Sequence, residues 1–261
     1  MIKSSLSAPR PRPGETVDAF LLRVQRRQAV LTVVLPTLGA VAWLFRLPEA
    51  TAGKVAMLVV MFALGTLGIT VGYHRMATHR AFEAPSWLRR LLLSMGALAA
   101  QGPPLFWCAT HRKHHQCVDT NDDPHSPVTG TRGHAHVGWM FTVPPCDPGR
   151  YARDLSRDPD VQWVGRRYNL LLLAGIVVPA VIGAVAWGSL LDGLLWGGLF
   201  RIFVGQHITW SINSICHAVG AQPWRARGGS RNVWWLALPS MGESWHNNHH
   251  ADPRSARQGF E

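Results

Sequence analysis

The sequence predicts an all-α membrane protein: four transmembrane helices beneath a cytosolic helical cap that gathers histidines into a metal centre. Three observations lead there. Of the 261 residues, 47% are hydrophobic and only 16% charged, a balance that leans away from ordinary soluble domains. Uncharged apolar stretches recur; Val55–Tyr73 alone spans roughly 28 Å at 1.5 Å per residue, close to the thickness of a hydrocarbon core. Histidines fall in spaced sets at the ends of such stretches. A mean hydropathy of only +0.04 requires a substantial polar part outside the bilayer.

Each element follows in order. Residues 1–14 carry Pro9, Pro11, Pro13 and Gly14 and are expected to be disordered. Glu15–Gln28 places Val17, Phe20, Leu21 and Val24 at helical spacing among arginines, which predicts a surface amphipathic helix. Residues 1–28 are thus set apart from a single domain over 29–261. No cleavable signal peptide is evident, because the leader is polar and basic. Spans are expected at 29–45, 55–73, 170–187 and 191–210. Between the second and third, residues 91–107 are apolar but broken by Gly96, Gly102, Pro103 and Pro104. This predicts a helix lying on the membrane or dipping partly in. Asp119–His125 reads as a polar loop, 139–145 as a short apolar segment on the membrane surface, and 147–167 as interfacial helix. The cap comprises 74–169 and 211–261.

The formal net charge of +11 has two common sources, nucleic-acid binding and contact with an anionic membrane. No helix-turn-helix or RNA-binding motif is visible, so no nucleic-acid partner is expected. The basic residues instead flank apolar segments. Arg23, Arg26, Arg27, Arg75, Arg80, Arg89, Arg90, Arg112, Lys113, Arg166 and Arg167 fall on one side of a four-span arrangement, and only Arg46 and Lys54 on the other. The positive-inside rule then puts both termini and the histidine sets in the cytoplasm. Cys108, Cys117, Cys146 and Cys216 form no C-x-x-C pair, which disfavours a zinc ribbon and fits free thiols in a reducing compartment.

The chemistry resides in the histidines. His111, His114 and His115 stand at i, i+3 and i+4, so on a helix they share one face; His246, His249 and His250 repeat the spacing. His74 and His79 end the second span at i, i+5, and converge only if the helix bends or ends between them. His217, four residues after Asn213, lies on the same side. These nine imidazoles exceed what one ion needs and suit two ions with four or five nitrogens each. Two redox-active irons at a membrane surface point to O2 activation. The clusters contain no carboxylate ligand of the kind soluble di-iron bundles use. Glu243, three residues before His246, is read as holding an imidazole N–H. The acids of the 119–125 loop, Asp123 among them, are read as orienting nearby histidines. His125, His134 and His136 lack helical partner spacing and are read as surface or supporting residues.

These residues resemble the membrane fatty acid desaturases, whose three histidine boxes H-x(4)-H, H-x-x-H-H and H-x-x-H-H are matched by His74/His79, His111/His114/His115 and His246/His249/His250. Gly72-Tyr73-His74-Arg75, Asp123-Pro124-His125, Asn213-Ser214-Ile215-Cys216-His217 and Glu243-Ser244-Trp245-His246 resemble the acyl-CoA (stearoyl-type, delta-9) branch over about residues 55–255. The resemblance implies a di-iron enzyme that uses O2 and external electrons to place a cis double bond, with delta-9 position, in a saturated acyl chain. It implies one iron on His74, His79, His111, His115 and His249. The other would take His114, His217, His246, His250 and a water held by Asn213. It places Trp210 along the acyl tunnel. An electron donor such as ferredoxin or a cytochrome b5-type protein is implied, as is membrane lipid as the surroundings. Ala109 and Thr110 stand where animal acyl-CoA enzymes carry an Arg-Asp pair that contacts the CoA head group. The acyl carrier is therefore open between CoA, a lipid and an acyl carrier protein. An acyl hydroxylase or acetylenase on the same site is the alternative outcome.

Overall fold

The computed structural model describes residues 11–260, and every regular element among them is helical; the only β pairings are isolated bridges, Ala221 with Asn232 and Asn232 with Trp245. Residues 1–10, where most of the expected disorder falls, lie outside the described residues. Helix α1 (Val17–Leu44) begins at Thr16, whose hydroxyl caps it by accepting from the Ala19 N–H at 3.3 Å. The amphipathic stretch and the first apolar stretch, expected as separate units divided at 28/29, are therefore one unbroken helix. Nothing between Arg27 and Ala29 interrupts the backbone ladder, and Gln25 is buried against the Met140 and Val143 carbonyls.

Helix α2 (Ala52–Thr78) is α-helical to Leu67 and π-wound over Gly68–Thr78. It is followed by α3 (Ser86–Ala97) and α4 (Pro104–Gln116). The apolar stretch expected to lie on the membrane as one helix is instead split, ending at Ala97 and restarting at Pro104. Between them Ala100 and Gly102 have positive φ, and Pro104 begins the new helix where its missing N–H costs nothing. A π-turn (His134–Gly138) leads into α5 (Trp139–Thr142), and α6 (Pro148–Tyr151) follows. Helix α7 (Pro159–Trp187), capped by Asp158, absorbs the end of the expected interfacial helix and the third apolar stretch together. Gly188, at φ +64°, reverses the chain into a continuous helical run of α8 (Leu190–Gly193), a π segment (Leu194–Phe200) and α9 (Arg201–Ser214). The last elements are α10 (Trp234–Ala237) and α11 (His246–Ala251).

Three of these helices are long and apolar enough to cross a membrane: α1, α2 and α7. Their outer faces are apolar and exposed, as Leu31, Leu38, Val59, Leu173, Val181 and Val185 show. That is the face a helix presents to lipid, not to water. The fourth expected span, 191–210, is helical throughout but falls outside that group, because Asp192, Arg201, Gln206 and His207 punctuate its apolar residues. The structure satisfies these polar groups from neighbouring helices. Asp192 pairs with Lys54 at 2.8 Å and Arg46 at 3.0 Å. Arg201 is 2% exposed and donates to the carbonyls of Gly197, Leu98 and Gly175, one each from three segments. Gln206 donates to the Ala100 carbonyl at 3.0 Å.

Helices α2 and α3 touch backbone to backbone at two glycines. A Cβ on Gly68 would fall 2.0 Å from the Gly96 nitrogen, so only glycine permits the crossing. This contact sets the π-wound end of α2 against the helix that precedes α4. Arg112 on α4 then fastens the two, donating to the Thr78 and Ala77 carbonyls at 3.0 Å each and to Asp154 at 2.6 Å. Gly68→Ala is expected to lower stability by about 1–3 kcal/mol, the usual cost of forcing a group into a packed crossing. Thermal unfolding of the detergent-solubilised protein checks this, and an unchanged midpoint contradicts the packing argument.

Candidate metal centre

The π-winding of α2 resolves the i, i+5 problem. In a π-turn the bond runs from residue i+5 to residue i, and the His79 N–H donates to the His74 carbonyl at 3.1 Å. The two rings thereby come to one side, with centroids 4.8 Å apart. Helix α4 offers His111 and His115 on one face. Helix α11 is short and begins at His246, so its three histidines project from a single turn and a half. His217 arrives from the turn just after α9.

All nine predicted histidines meet. The ligating nitrogens of His74, His79, His111, His115 and His249 lie within 4.8 Å of one another, and those of His114, His217, His246 and His250 form a second such group. Within the first, Nε2···Nε2 distances are 3.1 Å for His74–His249, His79–His111 and His111–His115, and 2.9 Å for His115–His249. Within the second they are 3.0 Å for His217–His246, 3.1 Å for His246–His250 and 3.4 Å for His114–His250.

The outer nitrogens fix the chemistry of the inner ones. His114 Nδ1 donates to Asp123 at 2.9 Å and His217 Nδ1 to Asp119 at 3.0 Å, which leaves each Nε2 as an unprotonated lone pair. Burial drives His111, His114, His115, His246, His249 and His250 well below the ordinary imidazole range, and His79 down to about 3. They are neutral at physiological pH. Neutral imidazoles whose lone pairs face each other at about 3 Å repel unless a cation sits among them. For metal–nitrogen bonds of about 2.1 Å, ligands at right angles are about 3.0 Å apart, so the donor set fits a metal ion in each group.

Supporting residues surround these rings. Asp119 Oδ2 also accepts from Gly229 N–H at 2.6 Å, and Oδ1 from Ser126 at 2.7 Å. Burial raises this carboxyl, but the hydrogen bonds from His217, Gly229 and Ser126 outweigh it and hold the group at about 2. Asp119 was not singled out within its loop, since a spacing of five residues from His114 carries no helical signal. Asp123 lies beside His114, against its Nδ1. Glu243 meets His246 only through its backbone, and its carboxylate is turned elsewhere. It lies before α11 starts, in a turn with Met241 and Gly242 at positive φ, so the expected helical offset does not apply. Its carboxylate instead reaches His74 Nδ1 at 2.5 Å, outside hydrogen-bond angles, and Arg75 at 3.2 Å. Burial pushes Glu243 up to about 8 against the pull of Arg75, so the His74–Glu243 contact retains a proton near neutral pH.

His125 joins the site, its ring 4.6 Å from His114, in a buried group with Asp123. His136 does not; it contacts Ser214 at 2.9 Å and His207 at 3.0 Å. A cavity of about 520 Å³ runs from His111, His125 and Asn213 between α1, α7 and α9, and Trp210 lines it. Part of its polar wall is paired internally: Gln101 donates to Thr209 at 2.9 Å and accepts from the Trp107 indole at 3.2 Å, whereas the lining Gln25 Oε1, His125 Nδ1 and Trp139 indole nitrogen have no hydrogen-bond partner among the described residues. Ala109 and Thr110 are buried, and Thr110 lines the same cavity.

The family model for fatty acid desaturase matches residues 52–258. The chain is 36% identical to hex-5-enoyl-[acyl-carrier protein] acetylenase of Moorena producens over 276 residues, 99% of this chain and 86% of that one. It is 42% identical to Delta-9 desaturase-like 4 protein of Arabidopsis thaliana over 203 residues, 78% of this chain and 67% of the relative. It is 39% identical to sn-1 stearoyl-lipid 9-desaturase of Anabaena variabilis over 206 residues, 78% of this chain and 73% of the relative.

Asp123→Asn keeps the shape of the side chain and removes the charge that orients His114. Metal retention is expected to weaken by about 10–100-fold, the usual effect of losing such a partner. Competition with a chelator, followed by elemental analysis, measures it; retention equal to the parent protein contradicts the role given to Asp123.

Proposed function

The chain belongs to the fatty acid desaturase family, and we propose that it removes hydrogen from two adjacent methylenes of a saturated acyl chain to leave a cis double bond, at the delta-9 position. The observation that carries this reading is that the apolar cavity opens onto the five-imidazole group at His111. Two irons bound there supply the capacity to activate O2 and break an unactivated C–H bond. His74, His79, His111, His115 and His249 would hold one. His114, His217, His246 and His250 would hold the other, with Asn213 orienting a water beside it.

The protein's own work is positioning and exclusion. Trp210 and the walls from α1, α7 and α9 hold the chain so that one C–C bond lies next to His111. Gln101, Thr209 and Trp107 satisfy one another, so that part of the wall offers no free donor to draw water towards the substrate. The histidines act as ligands and not as bases, since an alkyl C–H is far too weak an acid for imidazole. Asp119 and Asp123 keep the tautomers of His217 and His114 that leave Nε2 free.

We place Leu190–Ser214 as a fourth crossing, and the histidines and both termini in the cytoplasm. The arginine distribution supports this, as does the position of Arg46 and Lys54 beside Asp192 at the end of the bundle away from the histidines. The donor of electrons is a separate protein of ferredoxin or cytochrome b5 type. Ala109 and Thr110, which offer no charged pair for a CoA head group, favour a lipid or an acyl carrier protein over CoA as the acyl carrier. A second reading, formation of a triple bond, is favoured by the acetylenase relative, whose match extends over 99% of this chain.

Mass spectrometry of products from saturated acyl-lipid, acyl-carrier-protein and acyl-CoA substrates tests the reading. A mono-unsaturated product is expected, and an alcohol as the sole product removes it. His115→Ala and His249→Ala are each expected to cut turnover by at least about 100-fold while the protein still inserts in membranes. Product formation at the parent rate in either variant contradicts the ligand assignment.

A further inference from the structure

We infer that the surface around Trp224 is the docking site for an acidic, one-electron carrier protein, and that this patch is where electrons reach the histidine centre. The inference rests on the reading just given, because the reaction has an electron requirement. A saturated –CH2–CH2– unit, O2, two electrons and two protons yield –CH=CH– and two waters. The substrate gives two hydrogens; the carrier gives the two electrons, one at a time; solvent gives the two protons.

The patch is built from the segment between α9 and α11 and from the residues that follow α11. Trp224 is 38% exposed, yet it is fastened to the ligand helix. Its indole N–H donates to Asn248 Oδ1 at 2.9 Å and its backbone N–H to Asn247 Oδ1 at 2.8 Å. Those two asparagines are the residues between His246 and His249, one from each imidazole group. Asn248 is in turn held by the Phe260 carbonyl, whose ring lies 6.1 Å from that of Trp224. An aromatic ring at the surface therefore joins, through one hydrogen bond, the backbone that carries ligands of both groups.

The surroundings are cationic. Arg225, Arg227, Arg254 and Arg257 are all exposed, and none of them forms an ion pair among the described residues. The acids of residues 217–260 are Glu243, which is turned inward to His74, and Asp252, whose carboxylate accepts from the Arg254 backbone. An acidic partner thus meets, around Trp224, four guanidiniums that have no ion-pair partner among the described residues. That arrangement favours long-range steering and an orientation with the partner's redox group over Trp224.

The test uses the full chain in lipid nanodiscs, loaded with iron, and a plant-type [2Fe–2S] ferredoxin with its reductase and NADPH. Arg225→Glu/Arg227→Glu is expected to weaken ferredoxin binding, measured by titration calorimetry, by about tenfold or more, and to raise the KM for ferredoxin in parallel. Binding to the parent protein should weaken steeply between about 20 and 300 mM salt, and binding to the variant much less. With methyl viologen radical cation as reductant, a small cation that gains nothing from an acidic docking face, the variant should form product at the parent rate. Unchanged ferredoxin affinity in the charge-reversed variant, or no salt-sensitive binding to the parent protein, overturns the docking site. Absence of unsaturated product from the parent protein with methyl viologen overturns the desaturase reading instead, while the calorimetric comparison still decides the docking site.

Discussion

Everything in this structure answers to one constraint: nine imidazoles, most of them buried, turn their Nε2 atoms towards each other across about 3 Å. Such an arrangement does not form to satisfy the histidines themselves. Hydrogen bonding cannot occur between two acceptors, and protonation is opposed by burial in a region that would then hold several like charges. The scaffold must therefore force the rings together, and a cation bound among them would make the result favourable. The same logic explains the carboxylates behind His114 and His217. Each accepts a hydrogen bond from the Nδ1–H, so that the tautomer with a free Nε2 is the one the fold selects.

The forcing is done by elements that would be poor choices elsewhere. A regular α-helix would aim His74 and His79 about 140° apart. Winding the end of α2 as a π-helix brings them together, at the cost of weaker local bonding that tertiary contacts must offset. Those contacts are visible: Gly68 on Gly96, Tyr73 buried under Trp107, and the Arg112 guanidinium spread over the Ala77 and Thr78 carbonyls. The short α11 has little helical stability of its own. It is fixed by Asn247 and Asn248, which bond to Trp224, Asn232 and the chain after Ser255.

Much of this was legible in the sequence because helical spacing and metal ligation obey the same geometry. The i, i+3, i+4 sets read directly as shared faces, and His217 followed from its position after an apolar stretch. What was not legible came from tertiary contacts. Asp119 is brought to His217 by a loop closing over 98 residues of chain, and no local pattern encodes that. Glu243 was placed by extrapolating a helix backwards past its true start. The join between the amphipathic and apolar parts of α1 was missed because hydropathy changes at residue 28 while the backbone does not. Asp192 is legible as the outer end of its span, but the place of Arg201 is not, since its partners Gly175 and Leu98 belong to other segments.

Arg201 bears on how the polypeptide reaches its final state during synthesis. A guanidinium at the middle of a helix costs about 2.5–3.5 kcal/mol when that segment leaves the translocon on its own. Its carbonyl partners from Leu98 and Gly175 are made earlier and lie on segments that must already be packed. The tight reversal at Gly188 keeps Pro159–Trp187 and Leu190–Ser214 adjacent, so the ribosome delivers them as a hairpin. On the proposal that Leu190–Ser214 is a fourth crossing, its integration is expected to depend on the company of its predecessors rather than on its own hydrophobicity, with the histidines beyond it assembling after that step.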